Sequence, residues 1–167
     1  MVRTLLALLF LPLVACGSSD QEAIPDQTAV FAESVDVELV VAAERNAMAF
    51  AVERIEAPAG ARVRLVMDNT ETTSRAMVHN IVVVNNETAI DRVGNAAVGA
   101  PQNVPDDPGI VAYTPLAGPG ERVAVVFEMP PVGEYPFICT FPGHHQFMQG
   151  VLVSTAAEAQ DAASEAG

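Results

Sequence analysis

Tryptophan and lysine are absent from the 167 residues, and only two cysteines and three histidines occur. Without tryptophan, and with aromatics at 5%, there is little from which to build stacking platforms for sugars or single-stranded nucleic acid. Without lysine, all the cations are arginine: eight of them face 21 carboxylates, for a net charge of −13. Nucleic-acid binding relies on cations that neutralise phosphates, so a polyanionic partner is excluded. Two cysteines close at most one disulfide, which excludes a disulfide scaffold. The apolar run from Leu5 to Cys16 falls well short of the roughly 20 residues that span a bilayer. What is present is a chain half apolar, able to bury a core, and of a length that suits one domain of about 100–200 residues.

The short apolar run has another use. Arg3 supplies a positive start, Leu5 to Val14 an apolar centre, and Ala15 a small residue before Cys16. Residues 1–15 therefore read as a secretory signal peptide. Leu13-Val14-Ala15-Cys16 resembles the bacterial lipobox, which implies that Cys16 becomes a lipidated N-terminus. The expected product is an exported lipoprotein, held to a bacterial membrane through lipid on Cys16 and facing the periplasm or the cell exterior. Residues 16–34, polar and acidic, are expected to form a flexible tether. Residues 155–167, rich in Ala, Glu and Ser without periodicity, are expected to form a disordered tail.

Residues 35–154 carry strand patterns separated by Gly/Pro turns. Val35–Val41 and Arg62–Met67 alternate, Phe50–Ile55 does so weakly, and Ile81–Val84 is a β-branched run suited to burial on both faces. Arg122–Glu128, Tyr135–Cys139 and Gln149–Val153 complete the set. The expected fold is all-β, a Greek-key sandwich of seven to eight strands. An insertion at about 86–109 breaks the pattern: a short helix capped by Asn86 and running to Val93, then a Pro/Gly-rich flap.

The chemistry concentrates in Cys139-Thr-Phe-Pro-Gly-His144-His-Gln-Phe-Met148, a loop between two expected strands, with His79 about sixty residues upstream. Two imidazoles, a thiolate and a weak thioether form the donor set of a blue-copper electron-transfer site. Oxidised copper favours nitrogen in tetragonal array and reduced copper favours soft sulfur. A His–Cys–His plane with a distant sulfur suits both, so little moves when the electron arrives.

His79-Asn80, the Cys-x4-His-x3-Met spacing and the run Tyr113–Gly120 resemble the cupredoxins, most of all their azurin and auracyanin branch. The resemblance covers roughly Val35 to Ser154. It implies one copper, with His79, Cys139 and His144 as equatorial ligands and Met148 as axial ligand. It also implies support from Asn80, Thr140 and Phe141: Asn80 bonding toward Thr140, and the backbone N–H groups of Asn80 and Phe141 aimed at the thiolate. Where azurins carry glycine before the first histidine this chain has Val78, so a fifth ligand from that carbonyl is not expected.

The implied function is that of a single-electron carrier between membrane-associated redox partners. These would dock at an apolar patch of His144, Phe141 and Pro142, with Met77 beside it, and the carrier would be a monomer. The competing reading is a copper delivery or storage lipoprotein, which would want several exchangeable sites. An enzyme would need further histidines for a catalytic copper. His145 is expected to be a surface neighbour, and Met48, Met67, Met77 and Met129 core or surface residues rather than copper relays.

Overall fold

The computed structural model describes residues 24–156. The signal peptide, Cys16 and the tail beyond residue 156 lie outside the described residues. Eight strands run in the order β1 (Val37–Ala42), β2 (Arg54–Pro58), β3 (Arg62–Asp68), β4 (Val82–Val84), β5 (Ile110–Tyr113), β6 (Arg122–Glu128), β7 (Gly133–Ile138) and β8 (Gln149–Thr155). Two short helices accompany them, α1 (Gln27–Ala32) and α2 (Thr88–Ala96).

The strands form two mixed sheets, β1-β3-β6 and β2-β8-β7-β4-β5. β1 runs parallel to β3 and β2 parallel to β8, and the other pairs are antiparallel. Alternation along each strand sends one set of side chains into the space between the sheets. There Val41, Val63, Leu65 and Met67 meet Val83, Phe137 and Leu152 in one cluster. Phe50 joins it from a bridge to Ala43, its ring 5.2 Å from that of Phe137.

The opposite faces are covered too, which explains the β-branched run. Val82 and Val84 point away from the central core and pack with Ile138 under Ala89 and Val93 of α2. Val66 and Ala124 do the same under Val30 of α1.

α1 corrects the expectation of a tether reaching residue 34. Asp26 caps the helix by accepting from Thr28 N–H at 3.0 Å, and the Gln27 side chain accepts the Ala124 N–H. Arg64, 7% exposed, donates to the carbonyls of Val30 and Glu33 and to the Glu38 carboxylate. The 27–32 segment is thus clamped to the three-stranded sheet, and the polar residues around it conceal a short apolar contact through Val30 and Phe31.

Other boundaries shift for local reasons. The expected β-branched run Ile81–Val84 is a regular strand only over β4, and just before it His79 bridges Ala117 instead of joining the ladder. α2 begins at Thr88 rather than after Asn86, with Asn86 accepting from the Thr88 hydroxyl at 2.6 Å. The eighth strand, β5, follows the Pro-rich flap and pairs with β4 across a register shift between Val83 and Val84.

Candidate metal centre

β7 ends at Ile138, so Cys139 is the first residue of the loop that returns to β8. That loop closes on itself. Cys139 N–H donates to the Met148 carbonyl at 3.1 Å, His144 N–H to the Phe141 carbonyl and Met148 N–H to the His144 carbonyl, both at 2.9 Å. Gly143 turns the chain with φ at +85°, a conformation that L side chains rarely adopt. His79 approaches from the other side, its backbone exchanging hydrogen bonds of 3.1 and 2.7 Å with Ala117. The Asn69 side chain fixes this approach by donating to the carbonyls of Met77 and Ala117.

These elements bring three donors together. The Cys139 Sγ lies 3.9 Å from His79 Nδ1 and 3.6 Å from His144 Nδ1, and all three ligand atoms fall within 4.8 Å of one another. Cys139 and His79 are fully buried and His144 is 4% exposed. Met148 is also fully buried, in the same cluster as Cys139. Val78 is half-buried beside His79.

Asn80 and Thr140 sit directly behind the sulfur, both fully buried, and bond to each other. The backbone N–H groups of Asn80 and Phe141 hydrogen-bond to Cys139. Phe141 leans on His144, ring centroids 4.9 Å apart, and Pro142 and Gly143 are exposed beside it.

The electrostatics are those of a buried cluster without charge. Burial pushes the Cys139 thiol up to about 11, against the opposing pull of the two N–H groups. Burial, then the proximity of His144, lowers His79 to about 4, and burial lowers His144 as well. Near neutral pH the metal-free site is therefore a neutral thiol between two neutral imidazoles, and a metal ion would take the place of the thiol proton. The donor set passes a test of fit. The Nδ1 atoms of His79 and His144 both face the Cys139 sulfur, at 3.9 and 3.6 Å, and His79 Nε2 is buried with no hydrogen-bond partner among the described residues. Two imidazole nitrogens and one soft thiolate in a buried pocket match copper.

His145 departs from the sequence expectation. It is 4% exposed rather than a surface neighbour, and is walled in against Gly94 of α2. The signal for this was Gly94 itself, an otherwise unfavourable residue in a helix.

The described geometry has relatives. Residues 37–154 match the family of copper binding proteins described as plastocyanin/azurin. Auracyanin-A of Chloroflexus aurantiacus is 31% identical over 158 residues, covering 92% of this chain and 94% of auracyanin-A. Auracyanin-B of the same organism is 37% identical over 124 residues; the match covers 69% of this chain but only 51% of auracyanin-B. The solved structure of auracyanin A, described as a "blue" copper protein, superposes with a TM-score of 0.65 at 31% identity, covering 71% of this chain and 98% of that one. By sequence, by fold and by the convergence of His79, Cys139 and His144, the chain belongs to the plastocyanin/azurin family of copper binding proteins.

Proposed function

We propose that the protein is a single-electron carrier in which His79, Cys139 and His144 would hold one copper ion, with the Met148 thioether as a weak further donor. The observation that carries this reading is the convergence of one Sγ and two Nδ1 atoms within 4.8 Å in a buried, closed loop. Bound copper supplies the one-electron couple; the protein supplies a frame that does not move. Two antiparallel strands and the bridge to Ala117 hold Cys139 and His79 in place, and Asn80 ties their chain segments together. The N–H groups of Asn80 and Phe141 withdraw electron density from sulfur, which favours the reduced state and raises the potential.

Delivery or storage is less well supported, since the site is buried and braced rather than open to exchange. A catalytic role is likewise not supported, because two of the three imidazoles converge on the sulfur and the third is packed against Gly94. The electron leaves through His144, the ligand with an edge toward solvent, to redox proteins docking at Phe141 and Pro142. Export under the leader at 1–15 and lipid on Cys16 place the carrier at a bacterial membrane, acting as a monomer.

The test is to add copper to the metal-free protein. One equivalent should produce an intense visible thiolate-to-copper band that bleaches and returns on reduction and reoxidation. Cys139→Ala should abolish the band and retain the β-fold by circular dichroism. A coloured Cys139→Ala protein, or copper that passes promptly to a competing chelator without redox cycling, refutes the reading.

A further inference from the structure

His145 occupies the short turn His144–Gln146, and neither of its ring nitrogens has a hydrogen-bond partner although both are buried. Leaving buried polar atoms unpaired is destabilising, so polarity is not what holds this side chain in place. Its ring packs on α2. A Cβ on Gly94 would overlap the ring carbons and stand 2.8 Å from the His145 Cβ, so only glycine leaves the room the ring needs. Glycine in a helix interior is itself less favourable than alanine. Two locally unfavourable choices, a helical glycine and an unpartnered imidazole, thus meet in one contact.

α2 also packs on the residue before the cysteine. Ala89 and Val93 cluster with Ile138, so one helix braces the ligand loop at its start and again at His145. The His145 carbonyl is held from the far side by Gln149 Nε2 at 2.7 Å. His144, the neighbour in sequence, is the least enclosed of the three converging donors and has the most to gain from bracing.

We propose that His145, wedged into the notch at Gly94, is a positioning residue that ties α2 to the ligand loop and fixes His144 Nδ1 relative to Cys139 Sγ. This rests on the copper reading above and adds a purpose for the 86–109 insertion: it is a buttress for the exposed-side ligand. The wedge works by shape, since no hydrogen bond involves its nitrogens.

The experiment is a double-mutant cycle of His145→Ala and Gly94→Ala, read on the full chain with copper and without. His145→Ala should still bind one copper. Its visible band should shift, its electron self-exchange should slow several-fold, and amide exchange across 141–147 in the metal-free protein should quicken. Gly94→Ala should shift the band when His145 is present and much less in the His145→Ala background, where the clash is gone. Should Gly94→Ala fail to fold, His145→Leu carries the test. It refills the notch without nitrogens and should keep the parent band, whereas a shift as large as that of His145→Ala would overturn the proposal. It is equally overturned if His145→Ala keeps the parent band and exchange rate, or if Gly94→Ala acts the same in both backgrounds. A parent protein that gives no visible band with copper refutes the electron-carrier reading; a blue parent with unresponsive variants refutes only this inference.

Discussion

The side chain of Asn80 and residue Thr140 are joined by three hydrogen bonds: Asn80 Nδ2 donates to Thr140 Oγ1 at 2.9 Å, and Asn80 Oδ1 accepts the Thr140 N–H at 2.8 Å and its hydroxyl at 3.2 Å. Each residue adjoins a metal-site donor, so the pair clips the His79 segment to the cysteine loop without touching the metal position. Asn80→Ala would leave the buried Thr140 N–H unpaired. The expected cost is about 1–3 kcal/mol, seen as a lower urea midpoint for the metal-free protein at unchanged slope. An unchanged midpoint would show that the clip contributes nothing to stability.

The metal-free protein should be most stable between about pH 6.5 and 9. His79 titrates at about 4 when folded against 6.5 otherwise, so as pH falls the unfolded chain takes up the proton first. Stability present above 6.5 is then lost toward about 4, by roughly 3 kcal/mol at 1.36 kcal/mol per unit. The lowered His144 acts in the same direction. Cys139 is the opposite case: raised from 9.0 to about 11, it makes the unfolded chain lose its proton first as pH rises, so stability falls across that interval. Urea unfolding at about pH 5, 7.5 and 10 should trace this dome. Near neutral pH copper uptake should release about one proton, that of the thiol, measurable in weakly buffered solution.

What could be read in advance was whatever rests on periodicity or on donor spacing. β1 and β3 announce themselves by alternation and β4 by its β-branched run, and the site by Cys139, His144 and His79-Asn80. The elements that escaped have little local signal. β5 is four residues long and emerges from a Pro-rich flap, while α1 is six residues that reach the core through buried Val30 and half-buried Phe31. His145 was misplaced because a polar residue beside a ligand looks solvated in one dimension. Only the packing of α2, which depends on Gly94 lying across from it in space, encloses it.

Met148 tests the axial position. Its side chain is buried in the cluster that holds Cys139, and its backbone is bonded at both N–H and carbonyl, so leucine can occupy the same volume without moving the loop. Met148→Leu should bind copper and stay blue. Losing a weak sulfur donor disfavours the oxidised ion, so the reduction potential should rise in voltammetry. An unchanged potential would give the methionine a packing role only, and complete loss of copper would mean that it has a role other than that of a weak donor.

The exit route can be tested at a position that touches neither donor atoms nor core. Pro142 is exposed, Phe141 is half-buried with its ring against His144, and no charged side chain lies between Ile138 and Thr155. On the exit route proposed above, this uncharged loop would let two copies, or a copy and its partner, bring their His144 edges close without desolvating an ion of the loop. Pro142→Glu places a carboxylate there while leaving the loop's hydrogen bonds intact, since proline contributes no N–H. In self-exchange the two carboxylates would face each other, and repulsion plus desolvation should slow the rate by at least tenfold at low salt, with partial recovery as salt is raised. The visible band should stay where it is, because the donors do not move. A self-exchange rate equal to that of the parent at low salt would mean that electrons leave by another face.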